Sequence, residues 1–137
     1  MSDKKRLTMM IMDPPYESSN TTTAFRMIHS ALNKGHDVSV FAFEGAVSLT
    51  MAGQKGHPNP VKGTSADEEK HPLTREWVAA LFRLAESKGC DLEWVNCGFC
   101  VDERAAGDWI EGPKRGGPPN FHAMLQKSDA VIVVPSR

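Results

Sequence analysis

The chain has 137 residues, the size of a single domain that can bury its own hydrophobic core. Its formal net charge of -1 provides no basic field of the kind that binds nucleic acid. No stretch approaches the roughly 20 apolar residues that a membrane helix requires. Three cysteines, an odd number, argue against a closed disulfide framework, and residues 1–6 lack the apolar region of a signal peptide. We therefore expect a protein of the reducing cytoplasm, with no membrane or nucleic-acid partner.

The first third of the chain predicts one βαβ unit. Leu7–Met12 is a continuous apolar run, which is typical of a strand buried on both faces of a parallel sheet. A helix follows, for which Asn20 is the predicted N-cap and Gly35 the end. Asp37–Phe43 is the predicted second strand, so the crossover between the two strands should be right-handed.

The middle of the chain is more polar. Glu44–Gly53 is predicted to be a loop leading into a short helix. Gln54–Lys70 is rich in Gly, Pro and charge and has no periodicity, so we expect a mobile surface excursion. Pro72 is placed to open the next helix, whose broad apolar face runs to Gly89.

Two more strands complete the predicted sheet. Asp91–Asn96 is the third strand, Gly107–Pro119 is irregular, Phe121–Lys127 is a short helix, and Ala130–Val134 is the last strand. This alternation predicts a single α/β domain over residues 1–137. We expect three layers, α/β/α, around a mostly parallel sheet of about four to five strands.

The most informative motif is the pair of thiols in Cys97-Gly-Phe-Cys100. It follows the third strand, where open α/β folds keep their chemistry, and it leads into Val101–Ala106, which can begin a helix. A helix amino terminus favours a thiolate over a thiol. Cys97 is therefore a candidate nucleophile or sulfur carrier, and the alternative is a buried cysteine that acts as a small apolar residue.

Two further residues of this segment are candidates for the site. Cys100 either resolves a mixed disulfide and passes sulfur on, or packs under the turn. Arg104 lies four residues later, on the same helical face, and either stabilises a thiolate or persulfide anion or pairs with an acid such as Asp108.

The remaining cysteine and the histidines do not build a metal site by their spacing. Cys90 precedes the third strand, and six strand residues place it roughly 20 Å from Cys97, at the opposite edge of the sheet. A structural zinc ion needs four ligands, often in two pairs, and this chain has one CxxC pair. No paired spacing is shown by the loop histidines His57, His71 and His122, so we expect no metal.

Pro15 and Tyr16 follow the first strand and are candidates for binding substrate, since the carboxyl edge of the sheet is shared by all parallel strands. No glycine-rich phosphate loop is present, neither G-x-G-x-x-G nor Walker A. We therefore expect no nucleotide and no other cofactor.

The pattern resembles the DsrE/TusD-type sulfur-relay family, in its CxxC-containing, DsrE-like branch. The most specific stretch is Cys97-Gly-Phe-Cys100-Val-Asp-Glu-Arg104, which is similar to a Cys-x-Thr-Cys-x-Asp-x-Arg-Gly signature. Phe99 and Ala105 depart from that signature, where Thr and Gly are usual. The resemblance also covers the first strand with Pro15-Tyr16, then 24–32, 35–41, 44–47 and 92–134.

This resemblance implies a persulfide carrier or sulfurtransferase, in which Cys97 receives sulfane sulfur and passes it on, with Cys100 and Arg104 beside it. It implies a cytoplasmic sulfur-relay or sulfur-oxidation pathway. Implied partners are donor and acceptor proteins such as TusA-like or rhodanese-like carriers. The implied assembly is a homo-trimer or homo-hexamer, or a hetero-oligomer with related subunits.

Two other functions stay open at the level of sequence. The first is a dithiol-disulfide oxidoreductase that uses Cys97 and Cys100 as a redox pair, which predicts a reversible intramolecular disulfide. The second is a non-catalytic oligomeric assembly subunit, which predicts thiols that do not react in the folded state.

Overall fold

The computed structural model describes residues 3–136. In chain order its elements are β1 Arg6–Ile11, α1 Ser19–Asn33, β2 Asp37–Ala42, a 3₁₀ helix Glu44–Thr50, α2 Ala66–Glu69, α3 Thr74–Lys88, β3 Leu92–Cys97, α4 Gly98–Arg104, β4 Lys114–Gly116, α5 Pro118–Gln126 and β5 Ala130–Val134. The alternation of strands and helices is that of an α/β domain.

The five strands form one sheet in the order β4-β3-β2-β1-β5, and every neighbouring pair is parallel. The chain starts in β1, moves outward through β2 and β3 to β4, and returns to β5 on the other side of β1. The predicted fold class is thus confirmed. All strands end at one edge of the sheet, so the loops that follow β1, β2 and β3 meet there.

Strand side chains alternate between two hydrophobic cores, one on each face of the sheet. One face is covered by α1 and α3, and its core includes Met9, Val40 and Trp94 packed against Phe25 and Leu81. The other is covered by α4 and α5, and its buried residues include Phe41, Val95, Cys97, Cys100, Val101 and Met124. Both cysteines of the motif therefore belong to the second face.

The N-cap of α1 is Ser18, so the prediction of Asn20 was wrong. Ser18 has an extended backbone, with φ -156° and ψ 173°, and its hydroxyl accepts a hydrogen bond from the Asn20 N–H. Asn20 lies within the first turn, and its side-chain amide donates instead to Asp13 and to the Pro135 carbonyl. Ser and Asn are both good caps, so residue type could not decide between them.

Two segments have more regular structure than predicted. Glu44–Thr50 is a 3₁₀ helix from its first residue, where a loop leading into a short helix was expected. Within Gly107–Pro119 the structure has the three-residue strand β4, which pairs with the end of β3. A strand of three residues carries too little alternation to be recognised from sequence.

The excursion at 54–70 contains the short helix α2, and its first residue is firmly held. The Gln54 side-chain amide donates to the Ser48 carbonyl at 2.9 Å and to Thr74 Oγ1 at 2.8 Å. Mobility of the remainder stays a prediction. Over residues 3–136, no helix has the length and apolar character to cross a membrane.

Candidate functional site

The motif lies at the junction of β3 and α4. Cys97 is the last residue of the strand and the N-cap of the helix, with φ -61° and ψ 117°. Helix α4 begins at Gly98, three residues earlier than the sequence predicted, so Cys100 lies in its first turn. The two thiols are thereby brought together at the carboxyl edge of the sheet, as expected for chemistry in this fold.

Buried polar side chains hold the end of β3 in place. Asn96, directly before Cys97, is fully buried, and its side-chain amide donates to Thr50 Oγ1 at 3.0 Å. Its side-chain carbonyl accepts from the Trp94 indole N–H at 3.2 Å. On the neighbouring strand, Gly116 is opposite Cys97 in the parallel register. The position of Cys97 is therefore fixed by both adjacent strands and by the 3₁₀ helix.

The Cys97 side chain is buried yet opens onto a cavity of about 250 Å³. The walls are formed by Gly98, Phe99, Arg115 and the residues 116–119. Phe99 is 76% exposed and stands at the rim, where it is available to a binding partner. A buried thiol that is reached through a cavity is suited to react with a chosen molecule and be shielded from others.

Arg115 is a site residue that the sequence did not predict. Its guanidinium lies over Gly98, where an added Cβ would be 2.8 Å from Arg115 Cζ. It donates two hydrogen bonds to the Asp102 carboxylate, of 3.0 and 2.8 Å. These bonds lower the pKa of Asp102. They raise the pKa of Arg115, and the negative charge of a Cys97 thiolate raises it further.

No local signal marks Arg115 in the sequence, because it stands in a stretch rich in Gly and Pro. Its place becomes clear only from the pairing of β4 with β3, which sets Gly116 opposite Cys97. Arg115 is consequently the cation that lines the Cys97 cavity, and it attracts a thiolate or persulfide formed there.

Cys100 is buried, as Cys97 is, but it does not line the Cys97 cavity. Burial raises the pKa of the Cys100 thiol above its ordinary value of 9.0, and a hydrogen bond with Cys97 raises it further. The Glu44 N–H, which donates to Cys100 Sγ at 3.1 Å, and the Arg104 guanidinium favour the thiolate but do not outweigh those effects. At neutral pH, Cys100 is thus a thiol that can donate its proton to Cys97.

Glu44 holds its N–H towards Cys100 with a left-handed backbone, φ 51°. A residue with a Cβ adopts this region at an energetic cost, and such residues concentrate at functional sites. Sequence reasoning did not predict this contact, since Glu44 acts through its main chain and any residue type has an N–H.

Arg104 contacts Cys100 but faces a different cavity. Its Nη1 donates to the Cys100 carbonyl at 3.3 Å. Among residues 3–136 it forms no ion pair, with Asp108 or with any other acid. It lines a cavity of about 390 Å³, together with Asp13 and Glu44. The structure therefore places Arg104 beside the second cysteine of the motif.

Tyr16 lies beside the excursion. Its hydroxyl donates to the Pro72 carbonyl, and its ring centroid is 5.2 Å from that of His71. Its side chain is 60% exposed, and its backbone has a left-handed φ of 65°. Pro14, the neighbour of Pro15, lines the Arg104 cavity, but Pro15 and Tyr16 do not. Substrate binding by Pro15 and Tyr16 stays a prediction.

Cys90 is separate from the motif, at the amino end of β3 as its position predicted. Its thiol contacts the carbonyls of Leu32 and Lys88, each at 3.7 Å. In the described part of the chain, no group of three or more His, Cys, Asp or Glu side chains is arranged to hold a metal ion.

The chemistry available to this site is that of a buried sulfur that reaches a cavity beside a guanidinium, with a second buried thiol next to it. Thiolate exchange requires a nucleophilic sulfur with access to its partner, which Cys97 has through its cavity. A second thiol within hydrogen-bonding reach can supply a proton or take over a sulfur atom. The arrangement suits transfer of sulfur between cysteines or reversible formation of a disulfide.

Comparison with known proteins agrees with this fold. The crystal structure of the YchN protein from E. coli is similar, with a TM-score of 0.69 and 16% sequence identity over 95% of this chain and 98% of that one. At this identity the likeness establishes the fold. A comparison with curated proteins finds no significant match. The model of the DsrE/DsrF-like family matches residues 5–134, almost the whole chain. By its sequence and its fold, the chain belongs to the DsrE/DsrF-like family.

Proposed function

We propose that the protein carries sulfane sulfur as a persulfide on Cys97, in a cytoplasmic sulfur-relay or sulfur-oxidation pathway. The DsrE/DsrF-like family is associated with sulfur relay in general. The observation that supports a persulfide on Cys97 in particular is the position of this residue. It ends β3, opens onto a cavity and lies between a guanidinium and a second thiol.

Sulfur loading is a thiolate exchange in which no electrons are gained or lost overall. The Cys97 thiolate attacks the terminal sulfur of a donor persulfide, R–S–SH, and forms a new S–S bond. The donor S–S bond breaks, and R–S⁻ leaves as a thiolate. Unloading is the same step in reverse order, with an acceptor thiolate attacking the outer sulfur of the Cys97 persulfide and Cys97 leaving.

Three groups support the anion during these steps. Arg115 supplies a positive charge beside the cavity, and Asp102 holds its guanidinium in a fixed orientation. The N–H groups of the first turn of α4 point towards the strand end where Cys97 stands. Arg104 adds a favourable charge from the Cys100 side.

The partners we propose are protein carriers, TusA-like or rhodanese-like, that present a thiol or persulfide to the Cys97 cavity. Phe99 offers them an exposed aromatic ring at its rim. We also propose that Tyr16, which is exposed near the excursion, contacts a donor or acceptor. A homo-trimer, a homo-hexamer or a hetero-oligomer with related subunits is the assembly that family resemblance implies.

The test is intact-protein mass spectrometry of the reduced chain after brief exposure to polysulfide. Wild type is expected to gain sulfur-mass adducts, and Cys97→Ser is expected to lose them. Cys90→Ser serves as the matched control, because Cys90 lies at the opposite edge of the sheet and should load as wild type does. Undiminished adducts in Cys97→Ser would show that Cys97 is not the carrier.

The placement of Cys97 at the N-cap and Cys100 in the first turn of α4 also favours a second candidate, a dithiol-disulfide oxidoreductase. In that case the same experiment gives a loss of two protons that requires both cysteines, without sulfur adducts. The Cys100→Ser variant separates the two functions, since it abolishes the disulfide but leaves Cys97 able to form a persulfide.

A further inference from the structure

The cavity next to Arg104 lies where the direction of the sheet connections changes. Met12 and Asp13 follow β1, Glu44 follows β2, and Ser136 follows β5, and all of them line it. Strands β2 and β5 flank β1 on its two sides. Open α/β sheets bind ligands in the crevice at this switch point. Its volume of about 390 Å³ is suited to a small molecule.

A buried carboxylate faces this cavity with one oxygen unused. Asp13 is only 4% exposed. Its Oδ2 accepts hydrogen bonds from the Ser18 hydroxyl and, at 3.4 Å, from the Asn20 amide. Within residues 3–136, Oδ1 has no hydrogen-bond or ion-pair partner. This oxygen keeps access to the cavity, so it can accept hydrogen bonds from a positively charged or N–H-bearing ligand.

The other charges of the cavity have both signs. Arg104 contributes a guanidinium, which forms no ion pair in the described part of the chain. Glu17 and Glu44 contribute carboxylates. A guanidinium is matched to a carboxylate ligand, and carboxylates are matched to an ammonium group. The lining is therefore complementary to a small zwitterion of the amino-acid type.

Cys100 lies between the residues that line this cavity and Cys97, which lines the other. It lies in the first turn of the helix that Cys97 caps, and its sulfur accepts the N–H of Glu44, a wall residue of the second cavity. Arg104 contacts its carbonyl. A ligand held by Arg104 and Asp13 thus lies against the residues that contact Cys100.

We propose that the cavity lined by Asp13, Glu17 and Arg104 binds a small amino-acid thiol, and that Cys100 passes it the sulfur received from Cys97. The relay rests on the proposed function of Cys97, whereas the binding site does not. The Cys100 thiol attacks the outer sulfur of the Cys97 persulfide, that S–S bond breaks, and the Cys100 proton goes to the departing Cys97 sulfur. The products are the Cys97 thiol and a Cys100 persulfide, whose outer sulfur is then attacked by the ligand thiolate. The S–S bond at Cys100 breaks, the ligand becomes a persulfide, and Cys100 leaves as a thiolate that takes up the proton released by the ligand thiol.

Binding is tested on the full-length reduced protein by NMR titration with S-methyl-L-cysteine, which has both charges but no thiol. We expect shifts of the Asp13, Glu17 and Arg104 amides. Analogues without the ammonium or without the carboxylate should bind at least about tenfold more weakly, because each loses charge-assisted hydrogen bonds. Equal binding of all three compounds, or no binding, overturns the site.

Matched variants identify the residues responsible. Glu17→Gln and Arg104→Gln are expected to weaken binding by about tenfold or more. The control variants Glu103→Gln, on the exposed side of α4, and Arg83→Gln, on α3, should bind as wild type does. Loss of affinity in the controls to the same degree would place the ligand elsewhere and overturn the assignment.

The relay is tested by following sulfur from protein loaded with polysulfide to free L-cysteine, with mass spectrometry of both. Cys100→Ser is expected to load on Cys97 but to lose most of its transfer to cysteine. Undiminished transfer in that variant overturns the relay. If Cys97 does not load with sulfur, the proposed function fails and the relay fails with it. The NMR titration still decides whether the cavity binds the zwitterion.

Discussion

Arg115 rests on Gly98: the guanidinium occupies the space in which any other residue at position 98 would have its Cβ. The Asp102 carboxylate holds the guanidinium there with two hydrogen bonds. Gly98 is the first residue of α4, directly after Cys97, so the absence of a side chain brings a cation next to the sulfur. The Gly in this motif has a steric role that its sequence position alone does not explain.

Gly98→Ala should move Arg115 away while leaving every cysteine in place. An added Cβ would be 2.8 Å from both Cζ and Nε of Arg115, so the guanidinium must shift. We expect Cys97 to load with sulfur about two- to fivefold more slowly, since exposed ion pairs contribute at most about 1 kcal/mol. The measurement is the time course of sulfur adducts by mass spectrometry.

Gly53→Ala is the control for this substitution. An added Cβ at position 53 meets nothing within 4 Å, so loading should proceed at the wild-type rate. Since Ala favours a helix over Gly by about 1 kcal/mol, Gly98→Ala should not lose stability through α4 itself. A wild-type loading rate in Gly98→Ala would mean that Arg115 does not assist Cys97.

Cys97→Ala should lower the pKa of Cys100. In the native protein burial raises this pKa above 9.0, and Cys97 raises it further through a hydrogen bond and through its charge. Removal of Cys97 eliminates the last two effects, so Cys100 should form a thiolate at lower pH than before. The rate of alkylation against pH, in a Cys90→Ser background, gives the value, and an unchanged or higher pKa would contradict the contact between the two sulfurs.

The fold was largely predictable because several of its strands are uninterrupted apolar runs. Leu7–Met12 and Ala130–Val134 are continuous apolar runs, and such runs identify parallel strands without any knowledge of tertiary contacts. What sequence could not supply was the edge strand β4. Its three residues, Lys114–Gly116, are stabilised as a strand by pairing with β3, a contact between parts of the chain about 20 residues apart.

Only those site residues were predictable that have a reactive side chain and also stand at a recognisable strand end. Cys97 and Cys100 carry reactive side chains at a strand end, so residue type and place agree. Arg115 reaches the site through the pairing of β4, and Glu44 through a backbone N–H. Neither contact leaves a pattern in the residues around it, because one depends on sheet order and the other on a main-chain dihedral angle.

Gln54→Ala should release the start of the excursion. The Gln54 side chain donates to the Ser48 carbonyl and to Thr74 Oγ1, and its carbonyl accepts the Arg75 N–H at 3.0 Å. These bonds join the 3₁₀ helix to the first turn of α3, so their loss should allow more frequent opening. We expect faster cleavage between 54 and 70 in limited proteolysis. Lys62→Ala, at the exposed tip, is the control, and equal cleavage of the two variants would contradict this anchoring role.

Two buried threonines offer a matched test of how the end of β3 is held. Thr50 is fully buried, and its Oγ1 accepts the Asn96 side-chain amide at 3.0 Å. Thr21 is also buried, but within the described chain its Oγ1 has no hydrogen-bond partner. Valine has nearly the same shape as threonine, so the same substitution at both positions changes hydrogen bonding with little change in packing.

Thr50→Val should destabilise the protein by about 1–3 kcal/mol, because it leaves the buried Asn96 amide without its acceptor. Thr21→Val should be neutral or stabilising by up to about 1 kcal/mol, because it removes a buried hydroxyl that is already unsatisfied. Urea unfolding of both variants and wild type measures the difference in the free energy of unfolding. Since Asn96 precedes Cys97, Thr50→Val should also slow sulfur loading at a urea concentration where the protein stays folded. Equal stabilities of the two variants would show that the hydrogen bond from Asn96 to Thr50 does not hold the strand end.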